Sequence, residues 1–409
     1  MTTNHQTFQE TFRILLEKSS VMTNKEIDSL VTLFSCLIDN PAFSLKKTQE
    51  TAKDNFDRNF FAKTLVKYGY VQRLVAEQLI TEIVDNIPKT KTFLLSLDDT
   101  VVYKCGKHIE GSHEWHDHSK GRVINGFCLV NLALVVEGQL LFVLPWLLLK
   151  DSAVFKNGFS GQNIQDIKTK AAIELLDEVV KWLEKVGIPK RKIVVVTDSW
   201  YSNKTMVEHL KEKKLNYRLD ARSNLSVQCP DHEAIKNRGK KRRGRKRKKF
   251  VCYVSLRVFM GDYNKWKFFI DKSSGERIYN HKAIVTLKTT GRVTVYAFRN
   301  ETASRTKFII TPPKRIRPSS FSTVYCHYRF RWRIEEAHRD LKQQFGLSRC
   351  QARRGWVVSG FVGLVFLGYS FWKFTQFITE KIKGCSLKCP SWAQSFRNFI
   401  IRKKMTTLS

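Results

Sequence analysis

From Thr92 onward the chain alternates short apolar runs with helical periodicity, and this alternation restricts it to the mixed α/β class. Thr92 to Leu97 is an apolar run that ends in Asp98 and Asp99. Val123 to Val136 and Gln139 to Leu149 flank Glu137 and Gly138, a pair suited to a two-residue hairpin turn. A helix is expected over Ile164 to Val186, amphipathic through Ile167, Ala171, Leu175 and Val179. Ile193 to Val196 then reads as a buried strand ending at Thr197 and Asp198, with another helix starting near Asn203. Strand, hairpin, helix, strand, helix is a layer order that builds a mixed sheet flanked by helices.

Different patterns flank this core. Residues 1–90 read as an all-α domain, with apolar positions at helical spacing in Phe8, Phe12, Leu15 and Leu16, then in Ile27, Leu30, Leu33 and Leu37. Thr23 breaks the first pair of helices, Asn40 and Pro41 stop the second helix, and Asn55 to Tyr68 and Val71 to Ile87 form two more. Such a unit could dock on DNA, form a dimerisation bundle or cap the next domain. The core's first part spans 91–220. Residues 221–318 form a β-rich insertion with strands at Phe250 to Val258, Lys265 to Ile270, Ala283 to Leu287, Arg292 to Phe298 and Lys307 to Ile310. The core's second part spans 319–375, and 376–409 is a basic tail.

Charge narrows the partner. The 409 residues carry 72 Lys plus Arg against 37 Asp plus Glu, a formal net charge of +35, so a polyanion, nucleic acid first, is expected to neutralise the chain. With 42% apolar residues, a wholly disordered polycation is excluded. Lys236 to Lys249 holds 11 Lys or Arg in fourteen residues, and Arg242, Arg243, Arg245, Lys246 and Arg247 are candidate DNA contacts. Each neutralised phosphate releases counterions, and Arg245 beside Gly244 suits a narrow minor groove. The segment before Phe60 is polar and mixed in charge, so secretion is not expected, and a cytoplasmic, nucleoid-associated protein is. Nine scattered cysteines, never spaced as CxxC, read as reduced thiols; Cys385 and Cys389 lack further ligands at zinc-finger spacing. The apolar stretch Trp356 to Trp372 is at the short limit for a membrane span and reads as a core helix, with no membrane partner expected. No GxxxxGK[ST] motif supports an ATP-using regulator or helicase.

Three acids stand where such a core could hold metal ions: Asp98 and Asp198 at strand ends, and Glu335 on a later helix. Carboxylates ending neighbouring strands converge at one sheet edge, and hard oxygen ligands suit Mg²⁺ or Mn²⁺. Asp198 precedes a helix and could equally serve as a cap. On one continuous helix, Tyr328, Arg331, Glu335 and Lys342 would fall at offsets of 3, 7 and 14 from the first, within an arc of about 60°. Ile334, Leu341 and Phe345 would share the neighbouring face and pack on the sheet. The plain alternative is an exposed face with an ordinary ion pair between Arg331 and Glu335.

The segment YRFRWRIEEAHRDLK, Tyr328 to Lys342, resembles the YREK signature, Y-x2-R-x3-E-x6-K, of bacterial insertion-sequence transposases of the cut-and-paste DDE type. SLDDTVVYKCGK, from Ser96, is similar to the first acidic strand of that family, which reads D-x-T, and VVVTDSWYSN, from Val194, to its second. The resemblance covers roughly Thr92 to Tyr369. It implies a ribonuclease H-like fold in which Asp98, Asp198 and Glu335 bind two Mg²⁺ ions, Mn²⁺ being possible. Tyr328, Arg331 and Lys342 would then hold transposon-end phosphates. The D-x-T alignment selects Asp98, with the adjacent Asp99 as substitute, since only one of two neighbouring strand residues can face a site.

The function so implied is that of a DNA transposase, cleaving double-stranded DNA at transposon ends and joining the 3′-hydroxyl ends to target DNA, as a homodimer assembled on DNA. Two rivals remain, a catalytically silent DNA-binding protein derived from a transposase and a ribonuclease H-like nuclease without strand transfer. His108, His113, His116 and His118 crowd one loop with Glu110, Glu114 and Asp117. His113, Glu114 and His116 fall one residue short of HExxH spacing, so backbone contact or plain loop composition is favoured over a metal site. Trp200 and Tyr201 could stack on a displaced base or pack on the following helix.

Overall fold

The computed structural model describes residues 12–18, 21–39, 49–50, 56–104, 109–117, 121–149, 163–230, 251–301, 305–313, 320–350 and 352–383. In chain order, α1 (Asn24–Asp39) and α2 (Arg58–Asp85) lead into β1 (Phe93–Tyr103), β2 (His113–Asp117), β3 (Arg122–Val136), β4 (Gln139–Leu148) and α3 (Ile164–Lys185). Next come β5 (Ile193–Thr197), α4 (Lys204–Glu212), β6 (Asn216–Ala221), β7 (Ser226–Pro230), β8 (Val251–Ser255) and the short α5 (Leu256–Phe259). Then follow β9 (Lys267–Ile270), β10 (Arg277–Leu287), β11 (Gly291–Asn300), β12 (Lys307–Thr311), α6 (Phe321–Arg329), α7 (Trp332–Gln343) and α8 (Gly355–Lys383). The chain divides into two compact units, Met1–Lys192 with Trp332–Ser409, and Ile193–Arg331.

The first unit is built around β3. Its run Phe127 to Val136 is buried throughout, so both faces of the strand are covered, and it pairs antiparallel with β1 on one edge and with β2 and β4 on the other. Gly126 is paired on both sides, to Tyr103 and to His113; a Cβ there would stand 2.1 Å from the Val102 carbonyl oxygen. The β3–β4 hairpin turns through Glu137 (φ 51°) and Gly138 (φ 82°), two positive φ angles that match the twist of the flanking strands. α3 is capped by Asn163, whose Oδ1 accepts from Gln165 N at 3.1 Å, and it buries Ile167, Ala171, Leu175 and Val179 against β3 and β4.

Helices α1, α2 and α8 complete this unit. α1 begins in a reciprocal cap, Thr23 Oγ1 accepting from Glu26 N (3.3 Å) and Glu26 Oε2 from Thr23 N (2.7 Å). α2 runs unbroken from Arg58 to Asp85, where the sequence suggested two helices meeting near Gly69. A mid-helix glycine costs roughly 1 kcal/mol against alanine, but Gly69 lies against the backbone of Gly360 on α8. α8 is long and apolar enough to cross a membrane, yet its apolar stretch is mostly buried within the fold. It is therefore the core helix the sequence suggested, packed on α2 and β4. Cys385, Cys389 and the tail beyond 383 lie outside the described residues, as does Phe8.

The second unit is a mixed sheet. β5 and β6 are parallel, joined by α4, and β12 pairs antiparallel with β6 through Ile309 opposite Asp220. From β12 the order runs β11, β10, β7, β8, with β9 on β10. α6, capped by Ser320 Oγ on Thr323 N (3.1 Å), packs on this sheet through Val324, beside Ile278, Tyr296, Phe298 and Ile309. On the same helix, burial next to Arg218 lowers the His327 pKa to about 4, so this imidazole is neutral at pH 7. The basic arm, with Arg242, Arg243, Arg245, Lys246 and Arg247, lies outside the described residues.

Candidate active site

β1 does not end at its acids. It continues through Thr100 to Tyr103, and Asp98 and Asp99 lie mid-strand, opposite Asn131 and Val130 of β3. The strand end expected at Leu97 is corrected by the β-branched run that follows, which supplies further ladder and burial. Because strand side chains alternate, the two aspartates serve opposite layers. Asp99 Oδ2 accepts from Lys168 Nζ of α3 at 2.6 Å, and the Cys128 thiol lies 3.8 Å from the same oxygen. Burial opposes the Lys168 charge, yet Cys128 and Asp99 outweigh it and raise the lysine pKa; burial likewise pushes the Cys128 thiol up. Asp99 is thus engaged by an ion pair facing α3.

Asp98 faces the other layer. Directly opposite residues on paired strands share a face, and the Asn131 side chain meets α7: its Nδ2 donates to His338 Nε2 at 2.9 Å, with Asn131 fully buried and His338 7% exposed. α7 packs on β1, β3 and β4 through Ile334, Ala337 and Leu341, all at 0% exposure, with Phe345 buried just beyond its end. Ile334, Leu341 and Phe345 are the apolar face expected from the sequence. Glu335 lies in the first turn of α7, where the helix dipole favours a carboxylate, and His338 is one turn further along the same flank. Asp98 and Glu335 therefore belong to one layer of one unit.

The four residues Tyr328, Arg331, Glu335 and Lys342 do not share one helix. The helical run stops at Arg329, turns at Phe330 and Arg331, and restarts at Trp332. The 60° stripe therefore holds only for Glu335 and Lys342, seven residues apart on α7, with Lys342 in its last turn. Tyr328 ends α6 in the second unit: its ring packs beside Phe298 and Val324, and its hydroxyl donates to Asp220 Oδ2 at 2.9 Å. Burial, then Asp220, raises its pKa. The Arg331 guanidinium lies 5.8 Å from the Tyr328 ring centroid, a cation–π distance. The buttressing Asp220 is not marked in the sequence, where it lies within the otherwise unremarkable strand β6.

Asp198 follows β5, as the sequence suggested. Its Oδ1 accepts from Trp200 N (3.0 Å) and Tyr201 N (3.4 Å), which orders the turn before α4, whereas the cap of α4 itself is Asn203, accepting from Met206 N at 3.0 Å. Two backbone N–H donors on one carboxylate oxygen hold it in a single orientation. Tyr201 is fully buried and belongs to the packing, and Trp200 is half-buried. His113 to Asp117 is a strand, not a loop, so His113 and Glu114 point to opposite sides; His108 and His118 lie outside the described residues. Within either unit, no group of three or more His, Cys, Asp or Glu among the described residues is gathered to hold a metal.

Asn131 is a further residue that the sequence reasoning missed, although the run Phe127 to Val136 carries its signal: it is the one polar residue among nine apolar ones. Its Oδ1 is buried with no hydrogen-bond partner among the described residues, an acceptor beside Asp98. Buried acceptors are seldom left so. Carboxylate and amide oxygens such as those of Asp98 and Asn131 are hard donors of the kind that suits a hydrated divalent cation.

The scaffold is a large mixed sheet flanked by helices, consistent with a ribonuclease H-like fold, with Asp98 on a strand and Glu335 on the helix packed over it. A family model described as DDE superfamily endonuclease matches residues 58–267, half of the chain, and the chain belongs to this family. The match includes Asp98 and Asp198 and ends before α6 and α7. Such endonucleases act on DNA and generally use divalent metal ions. No curated protein matches the chain.

Proposed function

We propose that this chain is a DNA transposase of the YREK insertion-sequence kind, which cleaves at the ends of its element and joins the freed 3′-hydroxyls to target DNA. Asp98, Asp198 and Glu335 are its metal ligands. The observation that carries the reading is the placement of Asp98 and Glu335 on one layer, with Asp99 committed to the other. A pair of Mg²⁺ ions, or Mn²⁺, bound by these carboxylates would supply activation of a water or a 3′-hydroxyl and stabilisation of the leaving oxygen.

The chain's own groups do the positioning. The Asp198 carboxylate is oriented by Trp200 N and Tyr201 N, and Glu335 by the buried face of α7. Arg331 and Lys342 engage end phosphates, where guanidinium and ammonium groups give charge-assisted contacts, and Tyr328, fixed by Asp220, lines the same DNA path with its ring beside Arg331. The basic arm 236–249 adds phosphate neutralisation, and the net charge of +35 supports a long DNA footprint. Two protomers act on paired ends, at the nucleoid.

The test is incubation of purified protein and Mg²⁺ with DNA from both flanks of its coding region, and with a target plasmid. Joined products are expected. Nicks without joining would identify a nuclease alone, and a mobility shift without cleavage a silent binder; either result removes the transposase reading.

A further inference from the structure

We propose that Asn131 and His338 are positioning residues whose hydrogen bond sets Glu335 against Asp98, and thereby sets the affinity for the divalent ion. The inference rests on the metal-binding role proposed for Asp98 and Glu335, and it adds two residues that the spacing of the acids does not point to.

Three observations converge on this pair. Asn131 is the cross-strand partner of Asp98, so whatever fixes its side chain acts beside that carboxylate. Asn131 Nδ2 makes two bonds, to His338 Nε2 at 2.9 Å and to the Leu129 carbonyl at 3.2 Å, which lock the amide plane. His338 stands one helical turn beyond Glu335, so a bond that pins the imidazole also fixes the rotation of α7 and the direction of the Glu335 side chain.

The apolar contacts of α7 cannot do this alone. Ile334, Ala337 and Leu341 hold the helix against the sheet, but dispersion is non-directional and leaves rotation and sliding weakly specified. A single directional bond between two buried groups specifies both, and outer partners of metal ligands tune affinity in this way. Asn131 Oδ1, without a partner among the described residues, adds a buried acceptor next to Asp98.

The experiment measures DNA cleavage by the full chain as a function of Mg²⁺ concentration, with melting of each variant alongside. His338→Leu and Asn131→Leu should each raise the Mg²⁺ concentration for half-maximal cleavage by about 10- to 100-fold, with the rate at saturating Mg²⁺ changing far less. His338→Gln, which keeps an acceptor for Asn131 Nδ2, should recover most of the loss. The double variant Asn131→Leu/His338→Leu separates positioning from packing. With both partners apolar the stability penalty is largely removed, yet the Mg²⁺ requirement should stay raised. A double variant that regains wild-type Mg²⁺ dependence together with its stability would overturn the inference. Glu335→Gln run in parallel isolates the underlying reading, because Mg²⁺-dependent cleavage surviving that change would remove the metal role of Glu335 itself.

Discussion

Asp98→Asn is expected to abolish DNA cleavage, by on the order of 10³-fold or more, while melting and DNA binding stay near wild type. Asp99→Asn is expected to do the reverse. The two side chains are adjacent, chemically identical and both part-buried, so the contrast tests the layer assignment directly. Asp98 shares its face with Asn131 and α7, whereas Asp99 is bonded to Lys168 at 2.6 Å between the sheet and α3. Neutralising Asp99 leaves an ammonium with 11% side-chain exposure beside a buried thiol. Breaking one side of a buried pair typically costs about 3–5 kcal/mol. The Asp99→Asn protein should therefore melt lower but cleave normally per folded molecule. Loss of cleavage in Asp99→Asn with normal melting, and cleavage retained in Asp98→Asn, would reverse the assignment.

The second large effect is on stability, where α8 crosses α2 and meets α1. A Cβ on Gly360 would stand 1.8 Å from the Leu65 carbonyl oxygen, and one on Gly368 would stand 1.8 Å from Phe34 Cε2. The first obstacle is backbone, so it cannot turn aside, and the two helices would have to separate along the crossing. Overpacking in a well-filled core costs roughly 1–3 kcal/mol, occasionally more; with a rigid carbonyl as the obstacle, Gly360→Ala should reach the upper end and Gly360→Leu should prevent the first unit from folding. Gly69 offers the internal control. Its added Cβ would meet Gly360 N at 3.5 Å, an ordinary contact, so Gly69→Ala should be tolerated and gain up to about 1 kcal/mol of helix propensity. Thermal melts of the three variants check this. Equal melting of Gly69→Ala and Gly360→Ala would mean that the close crossing does not exist.

That crossing also shows where local sequence patterns stop being informative. The hairpin at Glu137 and Gly138, the stripe Ile167, Ala171, Leu175 and Val179, and the strand Ile193 to Thr197 are legible because each is a short-range pattern with its own turn or cap. Gly69 resembles a boundary because a glycine's helix penalty is local and visible, whereas the packing on α8 that carries the helix through it, at Gly360, is 291 positions away in the chain. The strand through Asp98 reads as ending there because two charges interrupt an apolar run, although Thr100 to Tyr103 keep strand character.

The site is legible in its residue types more than in its geometry. Asp98, Asp198 and Glu335 stand out as acids beside strands and a helix, and α7 buries the apolar face expected of it. The turn at Phe330 and Arg331 leaves no mark in the periodicity, since neither residue is a glycine or proline, and so the spacing sets Tyr328 and Glu335 on one helix that in fact is two. Asp220 under Tyr328 and His338 under Asn131 cannot be found by spacing, because each bond joins residues more than a hundred positions apart.

Iron-mediated backbone cleavage can locate the metal site, because Fe²⁺ put in place of the native divalent ion generates hydroxyl radicals that cut the chain nearby. Cuts are expected near Asp98, Asp198 and Glu335, suppressed by excess Mg²⁺ and lost in Glu335→Gln. Cuts confined to other segments, such as the histidine-bearing strand at His113 to Asp117, or an unchanged pattern in Glu335→Gln, would contradict this placement of the metal.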